Sequence, residues 1–244
     1  MDSLNISGAE VYFEKWGIKI TSTIVNMWMI IALVFCVCIF LTRNLKTKDI
    51  SKRQAIAESL VNIATKFTVG NMGEKYKSMA PFVAAIFCLS AFCSLSSLFG
   101  FYPATSDLST ILGWSLLIFV MITFTKIKTN KIGGYLKGFT KPIAVLTPFN
   151  IISEIATPIS MAFRHFGNVA SGSVIMGLLN AALTFLSSLI LGWVPIDFIA
   201  NLPIFRAGIP AFASLYFDVF SGVLQAYIFC MLTTMYIANA ADKD

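Results

Sequence analysis

Charge is what this chain has least of. Only 12% of its 244 residues are Asp, Glu, Lys or Arg, 57% are hydrophobic, and the mean hydropathy is +0.79. A soluble domain carries about twice that share of charge, so an all-α polytopic membrane protein is expected instead. Histidine is almost missing: His165 stands alone, which excludes a histidine-based metal centre or triad. The five cysteines (Cys36, Cys38, Cys88, Cys93 and Cys230) all fall in apolar stretches without a CxxC pair. Reduced thiols facing lipid or core are expected, and no metal site. Phosphate-cradling glycine loops, carboxylates paired at catalytic spacing and nucleophile elbows are absent. No cofactor is expected, and no nucleotide chemistry in the chain itself. The start, Met1-Asp-Ser-Leu-Asn-Ile6, also lacks the basic residues of a cleavable signal peptide, so the first apolar run reads as a retained span.

The net charge of +6 would suggest nucleic acid in a soluble protein. Here no nucleic-acid partner is expected, and the distribution of charge reports topology. A single membrane domain over 1–244 opens with a span over 24–41. Arg43, Lys46, Lys48, Lys52 and Arg53 follow it and mark the cytoplasmic side, which puts the N-terminus outside. Over 51–67, Ile56, Leu60, Ile63 and Phe67 recur at helical spacing opposite Lys52, Arg53, Glu58 and Lys66. That pattern predicts an amphipathic helix on the inner membrane surface. Spans over 79–99 and 108–124 form a hairpin, turned at Gly100-Phe-Tyr-Pro103 and returning to Lys126, Lys128, Lys131, Lys137 and Lys141.

Beyond residue 141 the pattern changes. From Pro158 to Trp193 no strong breaker occurs, although Gly167, Gly172 and Gly177 soften the run. One helix of roughly 36 residues would measure about 54 Å, well beyond a hydrocarbon core of about 30 Å. Either it tilts steeply, or two spans turn near Gly167 to Ser173. Prolines and Asp197 cluster over 194–203, and a last apolar run spans 211–240. Charge counting leaves five and six crossings both open.

Several polar residues interrupt this apolar background. Arg164 stays protonated at any physiological pH, and at membrane depth it costs several kcal/mol unless it meets a partner, a cavity or an ion path. Asn168 lies about 40° and Ser171 about 20° from Arg164 on a helical wheel, whereas Ser173 lies about 180° away. The bland alternative is a basic anchor snorkelling from a helix end. Asp218 sits between apolar flanks, with Gln225 near the same α-helical face. A carboxylate there suits a group that takes up and releases protons; capping of a helix end is the alternative. Glu154, ten residues before Arg164, reads equally as a relay group or an interfacial residue. Asp107, before the third span, reads as an N-cap.

The run Pro158-Ile-Ser160, then Arg164-His-Phe-Gly-Asn168 and the small residues to Ser173, closely resembles the arginine helix of the F-type ATP synthase a subunit. Three other segments agree in order and spacing: Pro103-Ala-Thr-Ser-Asp107-Leu108, Pro148-Phe-Asn-Ile-Ile-Ser-Glu154, and Leu224-Gln-Ala-Tyr-Ile-Phe229. The resemblance covers about residues 80 to 240. It implies five spans, the last two (an arginine helix over 145–192 and a final helix over 206–240) forming a long, steeply tilted hairpin against a ring of c subunits. It also implies b subunits of a peripheral stalk, the whole F1Fo complex and the lipid bilayer as partners. The implied location is the cell's plasma membrane, with the C-terminus cytoplasmic. Arg164 matches the essential arginine that meets the ring's ion-binding carboxylate, with Gln225 beside it. Ser173 and Asp218 occupy positions where many members carry Glu and His; His165 replaces the usual leucine. The resemblance further implies two half-channels, Asp218 and Ser173 lining the outer and Glu154 the inner. Whether the coupling ion is H⁺ or Na⁺ is not legible, since sodium needs several oxygen ligands and in this family those lie on the ring. A small secondary transporter with a midplane Arg/Asp site remains the other reading, though no internal repeat is visible.

Overall fold

The structure is a computed structural model that describes residues 11–15, 18–47, 50–141, 143–191 and 204–241. The expected turn with Asp197, and Lys48, lie outside the described residues. Among the described residues five helices are long and apolar enough to cross a membrane, the number expected from the resemblance. Their outward surfaces are apolar: Trp28, Leu33, Phe35 and Phe40 are exposed on the first, and Val120 and Phe124 on the third. Such a surface suits lipid rather than water. The chain is accordingly a multi-pass membrane protein.

Before the first span comes an element that the sequence reading did not anticipate. Strands β1 (Val11–Lys15) and β2 (Ile18–Thr21) pair as an antiparallel hairpin. Both are short and rich in aromatic or β-branched residues, which favour extended backbone. Helix α1 (Ser22–Thr42) follows, tied at its start by polar contacts. Asn26 donates from Nδ2 to Ser96 Oγ and to the Tyr102 carbonyl, each at 2.9 Å, and the Thr23 hydroxyl donates to Asp107 at 3.1 Å.

Helix α2 (Lys52–Met72) begins at Ser51, whose hydroxyl accepts from the Gln54 N–H. It packs against α1, α3 and the final helix, yet it buries Gln54, Thr68 and Met72 rather than its apolar stripe. Ile56, Leu60 and Ile63 are exposed. Most of the stripe therefore faces away from this protein's own core, while Phe67 meets Tyr227 of the final helix edge-on at 5.6 Å. A short 3₁₀ turn then leads into α3 (Ala80–Leu95), with Pro81 in its first turn, where a missing N–H costs nothing.

Asp107 caps helix α4 (Leu108–Gly138), accepting from the Ser109 N–H at 2.9 Å. The helix runs past Phe124, and only Lys131, at φ 59° and ψ 168°, breaks it. A left-handed lysine is strained backbone. Beyond the break, Tyr135, Gly138 and Phe139 return over the start of α5, and Asn150 fastens them by donating to the carbonyls of Phe139 (2.7 Å) and Lys141 (3.0 Å).

Helix α5 (Thr147–Leu191) is unbroken through 45 residues, about 67 Å at 1.5 Å per residue. No residue in it adopts positive φ, so a turn near Gly167 is overturned. The last helical stretch comprises α6 (Ile204–Ser214), a π-helical segment over Leu215–Ser221, and α7 (Gly222–Ala241). Met72, Ile118, Ile122, Met161, Phe229 and Ile237 form the main core between α2, α4, α5 and α7.

Gly222 brings α7 close to α3: a Cβ there would lie 3.1 Å from Ser94 Cβ. Gly222→Ala is expected to cost about 1–3 kcal/mol by overpacking, read as a lower thermal midpoint of the purified complex. Gly113→Ala, inside α4 with nothing within 4 Å, should not lower that midpoint, since alanine is the better helix former.

Candidate functional site

Helix α5 carries the site, and its two sides have opposite environments. Met161, Ala162 and His165 are buried against the bundle, whereas Phe163, Arg164, Ser171, Ile175 and Leu178 are exposed. Arg164 thus stands outside the protein core, with no ion pair or hydrogen bond among the described residues. Consecutive residues differ by about 100°, so Arg164 pointing outward sends His165 inward.

His165 is fully buried. Its Nε2 lies 3.3 Å from the Ser90 hydroxyl of α3, and its ring meets Phe229 of α7 edge-on with centroids 5.4 Å apart. Those contacts grip α5 from two helices and give the imidazole a structural role. Nδ1 finds no partner among the described residues.

A cavity of about 300 Å³ opens beside the middle of α5. Ser94 of α3, Ser97 of the 3₁₀ turn that follows it, Asn168 and Ser173 of α5, and Asp218 of the π-helical segment line it. Asp218 is half-buried and interacts with the Ser97 hydroxyl. The expected neighbours Ser173 and Asp218 are therefore brought to one cavity. Asn168 is turned further inward than its wheel position suggests: its amide donates to the Ser221 carbonyl at 3.3 Å and accepts from the Ser221 hydroxyl at 2.9 Å. This exchange joins α5 to the end of the π-helical segment.

Gln225 is buried and does not line the cavity with Asp218. The widened π turns between them advance less per residue than an α-helix, which spoils the face expected from α-helical counting. π-Helical turns inside longer helices cluster at functional sites. Asp107 is absorbed by its cap and by Thr23, and it is not among the cavity-lining residues.

A second polar cavity, about 380 Å³, lies towards the start of α5. Lys126, Asn130, Tyr135, Asn150, Glu154 and Asn239 contribute to its walls. Glu154 is not alone there: Lys126 Nζ donates to both of its carboxylate oxygens at 2.7 Å. Sequence reading used Lys126 only as a topology marker and missed this pairing, since nothing in a separation of 28 residues signals contact. Pro158, inside α5, has no N–H, so the Glu154 carbonyl four residues earlier loses its helical donor. The proline spacing could have flagged that free acceptor. By helical rise, Arg164 stands about 15 Å from Glu154 and about 14 Å from Ser173 along α5. A lone cation therefore lies between two polar cavities. Among the described residues no group of three or more His, Cys, Asp or Glu could hold a metal ion.

Comparison with known proteins identifies the family. The family profile of the ATP synthase A chain matches residues 24–238. ATP synthase subunit a 1 of Prosthecochloris aestuarii is 34% identical over 247 aligned positions, covering 98% of this chain and 99% of the relative. ATP synthase subunit a of Albidiferax ferrireducens is 30% identical, covering 97% and 94%. The sodium ion specific ATP synthase subunit a of Propionigenium modestum is 28% identical, covering 92% and 75%. Spanning helices, an arginine between two polar cavities and a match over nearly the whole length lead to one assignment: the chain belongs to the ATP synthase A chain family, as a subunit a of the membrane sector of F-type ATP synthase, a member of the F1Fo complex that serves ion transport in ATP synthesis.

Proposed function

We propose that this subunit provides two half-channels leading to a rotating ring of c subunits, with Arg164 separating them. The observation that carries the reading is Arg164 itself: exposed, permanently charged and without a partner among the described residues. At membrane depth a cation in that position calls for an anionic partner from elsewhere. An ion-binding carboxylate on a ring passing along the exposed side of α5 supplies one. The positive charge favours the ionised carboxylate and hence release of its ion, and it repels a cation moving straight across between the cavities.

The cavity with Asp218 and Ser173 forms the outer half-channel, and the one with Glu154 the inner. Orientation follows the two lysine-rich stretches, residues 43–53 and 126–141, which stay cytoplasmic. The N-terminus is then outside and the C-terminus cytoplasmic, in the plasma membrane. A helix of about 67 Å fits a bilayer only when steeply tilted. The exposed apolar surface of α2 suits lipid and the b subunits of the peripheral stalk.

The phase of cross-linking tests this reading. Cysteines at Ser171, Ile175 and Leu178 are expected to cross-link to a cysteine on the outer helix of the c subunit. Cysteine at Ser173 is expected instead to react with a small water-soluble thiosulfonate. Cross-links from Ser173 without any from the Arg164 side would overturn the proposed ring-facing surface. Absence of any c-ring from the purified complex would favour a small secondary transporter instead.

A further inference from the structure

The inner cavity is divided. A smaller void of about 130 Å³ adjoins it, lined by Phe119, Ile122 and Tyr236. On α4 and α7 these residues come before Lys126 and Asn239 respectively, which places the void deeper towards the middle of the spans. Lys126, Glu154, Thr157 and Asn239 line both voids. The ion pair therefore stands at the neck between an outer polar chamber and a deeper one with an apolar wall.

Its geometry is that of a closed contact. Both carboxylate oxygens are engaged at 2.7 Å, and the Lys126 and Glu154 side chains are only 30% and 18% exposed. Charge-assisted contacts of this length are among the strong ones. The Tyr135 side chain also meets Glu154, while Thr157 and Asn239 are the neutral polar groups facing the neck.

We propose that the Lys126–Glu154 pair is a latch across the inner half-channel, released each time Glu154 takes up a proton; this rests on the half-channel reading above. A proton arriving from the ring side converts the Glu154 carboxylate to a carboxylic acid. The acid no longer holds both Lys126 donors, and Lys126 remains an ammonium. The neck opens, the proton passes to water in the polar chamber, and the regenerated carboxylate re-forms the pair. No net charge is left behind. Lys126 touches Glu154 rather than the ring, so it is a positioning residue. Its ammonium also sets a positive charge in the path of any metal cation, which a Grotthuss-type proton transfer to Glu154 avoids.

Thiol accessibility in the assembled F1Fo complex tests the latch, using inverted vesicles and a chain whose five native cysteines are replaced. A small water-soluble methanethiosulfonate is added from the cytoplasmic face. Asn150→Cys, in the polar chamber, is expected to react readily. Ile122→Cys, behind the neck, is expected to react slowly, and about tenfold faster once Lys126→Ala is added, equivalent to a latch worth about 1.4 kcal/mol. The exchange Lys126→Glu with Glu154→Lys should restore slow reaction at Ile122→Cys. If Lys126→Ala fails to assemble, Lys126→Met keeps the stem, drops the charge and gives the same comparison. Equal reactivity of the two cysteines with the pair intact overturns the latch, as does an Ile122→Cys rate indifferent to loss of the Lys126 charge. An Asn150→Cys that cannot be reached from the cytoplasmic face would instead sink the half-channel reading itself.

Discussion

Replacing Arg164 with alanine is expected to abolish ATP-driven ion pumping while the F1Fo complex still assembles. The side chain is exposed and bonds nothing among the described residues, so its loss orphans no described buried group and breaks no described core contact. Its effect falls on the partner. A unit charge about 4 Å from a carboxylate is worth about 4 kcal/mol at an effective dielectric of about 20. At about 1.4 kcal/mol per decade that approaches a thousandfold in the equilibrium for ion release. Pumping measured as acridine-dye quenching in inverted vesicles should drop to the background of vesicles treated with an uncoupler. Arg164→Lys keeps a charge but gives up the planar, delocalised fork, and it should recover only a minor part of the rate. Wild-type quenching from either variant would remove the separator role.

That expectation could be written from sequence because the arginine announces itself. A guanidinium in an apolar run needs a reason, and helical spacing already put Ser171 on its side, where the same count of about 100° per residue also puts Ile175 and Leu178. The structure leaves all three exposed with it. The same arithmetic failed at Asn168, near the edge of that side, where the amide turns in to meet Ser221. A wheel gives direction but not what neighbouring helices offer. It failed again between Asp218 and Gln225, because the π-helical segment changes the angular step, and no residue pattern marks where such a turn begins.

The inner path was less legible for a different reason. Hydropathy reports where a membrane segment ends, not where the helix ends. The lysines after Phe124 therefore read as a loop, although lysine is a good helix former and α4 continues to Gly138. Continuation through Lys126 is what places its ammonium against Glu154. The strands Val11–Lys15 and Ile18–Thr21 were overlooked because they are too short to set up a convincing alternation. By contrast, Asp107 followed a local rule, its side chain meeting the second N–H of the next helix, and local rules are what a single sequence carries best.

For Asp218 the expected result is graded rather than absolute. Asp218→Asn keeps the size and the contact with Ser97 but cannot accept or release a proton. Positioned proton-transfer groups contribute roughly 10²–10⁴-fold when no substitute exists. Here a substitute does exist, since the cavity of about 300 Å³ is wide enough for several water molecules and is lined by Ser94, Ser97 and Ser173. The predicted loss is therefore smaller, about tenfold in the rate of passive proton uptake through Fo-containing vesicles stripped of F1. Asp218→Glu, with the carboxylate advanced by one methylene in a roomy site, should retain most of the rate, and Asp218→Leu should lose more than Asp218→Asn because it also fills and dries the cavity. Uptake by Asp218→Asn that matches wild type across the pH range would leave the outer path without its carboxylate, and Ser94, Ser97 and Ser173 would have to carry it through water alone. Loss with Asp218→Glu as severe as with Asp218→Leu would instead make the residue a spatial fixture of the π-helical turn.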